Sequence, residues 1–239
     1  WAPETTTEEM AERIAVRDFG AEAAPLVLDC WRDWSTAWPF YVPTNEDQYG
    51  PFRVGPAYPL LFQDEPEEFP DAPYAHFGNC ILTTHYNPHQ PADVPTEIGL
   101  LAKFLAHWDA GLAKLEQALT VTPARKQPEA QRMLGLGRFI RRCVQTTINT
   151  KRWWLLKRDL LAATDATAAA ALGAELRELG EAEIANAAGA IPLVEADSRL
   201  GWEPSMEYMS DRAHLEWKVA QMRRVLDEEL PAYLAGVGK

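Results

Sequence analysis

No stretch of this chain holds the roughly 20 consecutive apolar residues that a membrane-crossing helix needs. A membrane is therefore not an expected partner, and no signal-peptide pattern opens the chain. Positive charge is also short. Against 35 Asp and Glu there are 23 Lys and Arg, a formal net charge of −12 over 239 residues. Nucleic acid and anionic surfaces attract a positive field, so nucleic acid is not an expected partner either. The balance reads as a soluble protein, with the cytoplasm the favoured compartment.

Cysteine is scarce. Cys30, Cys80 and Cys143 are odd in number and far apart. That excludes a disulfide framework and a Cys-x-x-Cys metal knuckle, and leaves buried free thiols. The pattern His-Glu-x-x-His is missing. His76, His85 and His89 do crowd together, but Pro88 inside the last pair keeps the two imidazoles off one helix face, so no metal or other cofactor is expected. The alternation of short strands and helices that builds a (β/α) barrel is also missing. No repeat of fixed period runs through the chain.

What is present is helical. Thr5 or Thr6 with Glu8 or Glu9 three residues on predicts a capped helix over 5–18, ended by Gly20. A second helix is expected over 21–37, with Pro25 in its first turn and Trp38-Pro39 stopping it. Apolar residues at steps of three and four predict helices over 96–119 (Leu101, Phe104, Trp108, Leu112, Leu115) and 129–162 (the row Leu136, Ile140, Val144, Ile148). Alanine-rich 164–190 follows. An irregular stretch over 191–209 and a last helix over 210–234, with Leu215, Val219, Met222, Val225 and Leu226 on one side, complete the chain. The expected fold is mainly α: one helical domain over 1–239, a bundle with little or no β.

The exception is 38–96, which holds eleven of the eighteen prolines and most of the tyrosines. Prolines at 51, 56 and 59 forbid a helix or a central strand there, while the aromatic content argues against disorder. It reads as a long ordered insertion, with a short strand possible in geometry at 79–85. The segment 44–62 is either a strap over a helical core or the wall of a polar-ligand site. Three further groups carry potential chemistry. Between residues 130 and 158 lie eight basic residues and no acid, interleaved with Trp153 and Trp154. These cations are expected to pair with acidic helices or a partner surface, although Arg152 and Trp153 also suit a polar pocket. In 194–208, Asp197, Arg199, Glu203 and Glu207 stand beside Trp202 and Tyr208. They form either an arginine–carboxylate network pinning a crossover or a carboxylate pair for acid/base chemistry.

One succession of blocks resembles a known order: Trp31-Arg32-Asp33-Trp34-Ser35-Thr36-Ala37, then Asp47-Gln48-Tyr49-Gly50-Pro51 and Gly55-Pro56-Ala57, then a helix with Trp108 and Gly111, then Asp197-Ser198-Arg199-Leu200-Gly201-Trp202-Glu203. It is similar to the C-terminal helical region of large bacterial proteins that resemble glycoside hydrolases, and covers about residues 15–235 in scattered blocks. The resemblance implies an accessory domain of a longer carbohydrate-active protein, whose catalytic barrel is not in this chain. The opening Trp1-Ala2-Pro3, without a methionine, is expected of a processed product, a trimmed form or a piece of something longer. The expected partners are a carbohydrate and a catalytic domain of the same protein. The expected ligand contacts are Asp47, Gln48, Tyr49 and Arg53 from one loop and Asp197, Arg199 and Glu203 from the other. No catalytic residue is assigned. The alternatives are a helical interaction module without a sugar role and a stand-alone hydrolase using Asp197 and Glu203.

Overall fold

The computed structural model describes residues 4–42, 55–62, 86, 88, 90–201 and 210–237. These are mainly α-helical, as the periodicity predicts, and no strand occurs among the described residues. In chain order the helices are α1 (Thr7–Phe19), α2 (Ala24–Ala37), α3 (Val94–Val121), α4 (Gln127–Ala162), α5 (Ala166–Ala188), α6 (Ile191–Ala196), α7 (Arg212–Arg224) and α8 (Leu230–Leu234). Among the described residues no helix is long and apolar enough to cross a membrane. The expected strand at 79–85 lies outside the described residues.

Local chemistry sets most boundaries. At α1, Thr6 and Glu9 cap each other's backbone N–H in a full capping box. Gly20, at φ 98°, ends the helix in a conformation that suits glycine. Pro25 sits in the first turn of α2. Asp165 and Asp211 cap α5 and α7 by accepting from the N–H three residues on. The expectation of irregular chain over 191–209 is corrected at its start. Pro192 occupies the first turn of α6, where a missing N–H costs nothing, so Ile191–Ala196 is helical. A π turn, Val225–Glu229, joins α7 to α8 just ahead of Pro231. Proline has no N–H to give the carbonyl four residues back, so the ladder shifts register there.

The chain divides into two compact units, residues 1–42 with 99–141, and residues 43–98 with 142–239. Helices α3 and α4 each contribute to both. In the first unit, Trp34 and Trp108 stack with centroids 4.5 Å apart. The Trp34 indole N–H donates to Trp108 O at 3.1 Å, and Trp108 donates to Gly137 O at 2.8 Å. Gly111 and Gly137 make room for Trp34: a Cβ would fall 2.6 Å and 2.7 Å from its ring. Phe19, Val27, Leu101, Phe104 and Leu115 complete this core. Of the expected α4 row, Leu136 is instead 44% exposed, whereas Leu134 and Phe139 are buried.

The second unit buries Leu60, Phe62, Trp153, Leu160, Leu176, Leu179, Met222, Leu226 and Leu230 in one cluster. Gly173 and Gly180 let α5 approach its neighbours closely, because Cβ atoms there would meet Leu234 and Leu226 at 2.6 and 2.7 Å.

Candidate ligand-binding cleft

The segment Gly55–Phe62 is a buried strap in the second unit. Gly55, at φ 66°, opens a 3-10 turn over Gly55–Ala57, and every residue from 55 to 62 is buried. Pro56 and Pro59 have no N–H, so what this backbone offers is mostly carbonyl oxygen. Two of those carbonyls are met by side chains. Lys218 Nζ, on α7, donates to Pro56 O at 2.9 Å, and Trp153 Nε1, on α4, donates to Leu61 O at 3.0 Å. The strap is thereby tied to two helices.

Lys218 belongs to a larger polar group inside the same unit. Its ammonium forms an ion pair with Glu183 of α5, and both side chains are wholly buried. Glu183 also accepts from Thr146 Oγ1 at 2.6 Å and from Asn149 Nδ2 at 2.5 Å, both on α4. Asn186 Nδ2 donates to Thr146 Oγ1 and to Arg142 O, each at 3.0 Å. Arg142 closes the ring by donating to Asn186 O at 2.8 Å across Gly189, where any Cβ would strike its guanidinium. Burial pulls the Lys218 ammonium down from the usual lysine range, and Glu183 opposes that pull. A buried pair of this kind adds little net stability, yet losing one partner strands a charge. Its clearest structural effect is to fix Pro56 and the strap behind it.

Tyr58, Tyr86, Thr150, Trp153, Trp154 and Lys157, with the strap backbone from Pro59 to Leu61, line a cleft of about 300 Å³ counted out to its open mouth. Thr150, Trp153, Trp154 and Lys157 recur at i, i+3, i+4 and i+7, so one face of α4 supplies them all. Thr150 Oγ1 donates to Thr146 O at 2.8 Å, which leaves its oxygen to accept. Behind Tyr86 lies Lys151, whose side chain is wholly buried. Its ammonium donates to Tyr86 Oη and to Glu97 Oε2, both at 2.9 Å, and stands 4.7 Å from the Tyr86 ring centre. The Arg158 guanidinium lies 5.3 Å from the Trp154 ring. The arrangement suits a flat ligand with hydroxyl groups: ring faces for its C–H surface, and a few placed polar groups at the edge.

The expected site residues fare unequally. Asp47, Gln48, Tyr49, Arg53 and Glu203 lie outside the described residues, as do His76, His85, His89 and Cys80. Asp197 and Arg199 are brought together: Arg199 Nε and Nη2 donate to the two Asp197 oxygens at 2.9 and 2.7 Å, and Arg199 N donates at 3.1 Å. This is a local pair two residues apart, and Glu203 and Glu207, the other acids of the expected network, lie outside the described residues. Of the two residues that suited a polar pocket, Trp153 lines the cleft, whereas Arg152 is exposed and does not line it. The basic stretch of α4 finds acids, with Arg138 on Glu116 and Arg141 on Asp109, both at 2.8 Å, in the first unit. Among the described residues no cluster of His, Cys, Asp or Glu has the makings of a metal site. Sequence reasoning missed Tyr58, Tyr86, Thr150 and Lys157. The i, i+3, i+4, i+7 spacing on α4 was the available signal for the last of these and for Thr150.

Comparison with protein-family models, with curated proteins and with solved structures yields no match.

Proposed function

We propose that this chain is a helical carbohydrate-binding domain, which takes one sugar ring in the Tyr58–Tyr86–Trp153–Trp154 cleft and serves a catalytic domain of the same protein. The observation that carries this reading is the cleft itself: four aromatic side chains, a threonine hydroxyl and a lysine around one open cleft. Sugars present apolar C–H faces and a belt of hydroxyls, and that mixture is what such walls recognise. The Lys218 and Trp153 tethers on Pro56 O and Leu61 O favour a cleft that stands ready before the ligand arrives, which lowers the cost of ordering on binding. The catalytic partner rests on the resemblance to glycoside-hydrolase-like proteins alone. The test is calorimetric titration of the chain with a panel of mono- and disaccharides, repeated with Trp154→Ala. Saturable binding that the variant weakens supports the reading, and no binding by any sugar overturns it.

A second reading, a protein-interaction module, has one observation in its favour. Trp38 is 54% exposed although Tyr41, Phe104 and Trp108 hold its ring by edge contacts at 5.6, 5.8 and 6.4 Å. A held, exposed indole in the first unit is the kind of anchor a protein partner covers. Under that reading Trp38→Ala loses a partner and leaves sugar binding unchanged.

A further inference from the structure

We infer that His214 is an acid-operated release for the strap: when it takes up a proton, a second buried cation stands one turn from Lys218, and the hold of Lys218 on Pro56 O gives way. The strap walls the cleft whatever the cleft holds, so this inference goes beyond the carbohydrate reading and does not rest on it.

The argument begins with one helix face. His214, Lys218 and Gln221 recur on α7 at i, i+4 and i+7, and none is more than 5% exposed. Lys218 carries that face onto α5 and the strap, through its ion pair with Glu183 and its bond to Pro56 O at 2.9 Å. Side chains four residues apart on a helix are neighbours. An imidazolium at 214 therefore repels the Lys218 ammonium at a depth where salt and water screen poorly.

The imidazolium has little to hold it. Its partner Asp211 is 44% exposed and already accepts from His214 N at 2.9 Å as the cap of α7. A pair that reaches into water is worth little. His214 is the third residue of α7, where the helix dipole disfavours a positive charge. Burial acts in the same direction on its basicity.

The elements packed against α7 bring charges that are mostly engaged. On α5, Glu183 holds Lys218 and Glu181 holds Arg223. Glu195 of α6 and Glu216 of α7 itself are both on Arg212. In the π turn, Asp227 is on Arg177, Glu229 is on Arg224, and Glu228 is exposed. The strap's turn, Gly55-Pro56-Ala57, has no titratable side chain. Arg142 of α4 adds one more cation to the Glu183 network, through Asn186 O at 2.8 Å.

Two ties seat the strap, Lys218 on Pro56 O and Trp153 on Leu61 O at 3.0 Å. Pro56 and Pro59 stiffen what lies between. Release of the first tie displaces Tyr58, Pro59 and Leu60, which wall the cleft, and disturbs the second.

The experiment follows indole N–H resonances by NMR in the full chain. Trp153, bonded to the strap, is the reporter, and Trp108, bonded to Gly137 O at 2.8 Å in the first unit, is the control. From about pH 7.5 to about pH 4.5, across the ordinary histidine value of 6.5, the Trp153 resonance is expected to move while that of Trp108 stays. His214→Gln abolishes the step. So does the double variant Lys218→Met with Glu183→Gln, in which the tie is missing at every pH, and it serves should His214→Gln fail to fold. The affinity of any sugar found to bind is expected to fall over the same range, by at most about tenfold per pH unit for one proton. Movement of both indoles together means general unfolding, and a step that survives in His214→Gln places the proton elsewhere. Either result overturns the switch, as does a Trp153 resonance that ignores pH. If no sugar binds, the carbohydrate reading falls and the indole resonances still decide the switch.

Discussion

The Trp153 indole donates to Leu61 O at 3.0 Å, across 92 residues of sequence. One side chain thus serves as core, as cleft wall and as a tie on the strap. Trp153→Phe keeps an aromatic ring but removes the indole N–H and part of the ring's volume, leaving a buried carbonyl without its donor. It is expected to lower stability by about 1–3 kcal/mol and to weaken ligand binding. Urea unfolding and titration on the same preparation check both effects. Unchanged stability would show the bond to be dispensable.

The Lys218–Glu183 pair yields a sharper expectation. Lys218→Met leaves the Glu183 carboxylate buried with only Thr146 and Asn149 as donors, and costs about 3–5 kcal/mol. Glu183→Gln, which strands the ammonium, falls in the same range. The double variant removes both charges and is expected to be more stable than either single variant. A double-mutant cycle in denaturant measures this, and additive losses would contradict it.

Two pairs of glycines separate close packing from helix propensity. At Gly111 and Gly137 a Cβ would stand under 3 Å from Trp34, so alanine there costs about 1–3 kcal/mol. At Gly99 and Gly135, both inside helices, a Cβ meets nothing within 4 Å. Alanine there is expected to stabilise by up to about 1 kcal/mol. Thermal unfolding of the four variants should place them on opposite sides of the parent.

His214 gives a pH dependence whose sign is fixed. Burial lowers its basicity below the ordinary histidine value, and the Asp211 carboxylate only partly offsets this. The unfolded chain therefore binds the proton more readily than the native one. The His214 contribution is present above the unfolded value of 6.5 and is lost as pH falls through the lower folded value. Stability is expected to drop on acidification from neutral pH, and His214→Gln should flatten that drop. Unfolding free energies of both proteins over that range decide it.

Thiol chemistry is the last test. Burial pushes both Cys30 and Cys143 up to about 12, so neither is a ready nucleophile at neutral pH. In a Cys80→Ser background, a disulfide reagent is expected to titrate almost no thiol in the native protein and both thiols in denaturant. Rapid native labelling of Cys30 would contradict its burial, whereas Cys143 is half-buried and is protected by its raised pKa in addition to partial cover.

How much of this was legible beforehand varies by element. Helix ends were, because they depend on residues within one turn of each other: Thr6 with Glu9, Pro25, Gly20. The apolar stripes were legible too, though not always which edge of a stripe turns inward. On α4 the choice between Leu136 and its neighbours Leu134 and Phe139 is made by what packs against the helix. The polar core left a faint trace. Lys218 sits within the apolar stripe Leu215, Met222, Val225, and Glu183 within Leu176, Leu179, Ile184. A charge in such a position signals a buried partner without naming it.

The chain's own order of residues therefore determined that it is helical, where its helices are capped, and that prolines 56 and 59 keep the strap out of regular structure. These follow from interactions spanning three or four residues. Only the tertiary structure decided that Lys218 meets Glu183 and Pro56, that Trp153 meets Leu61, and that one face of α4 becomes a cleft. Those contacts join groups 35 to 162 residues apart, and their energy depends on burial that no local spacing encodes.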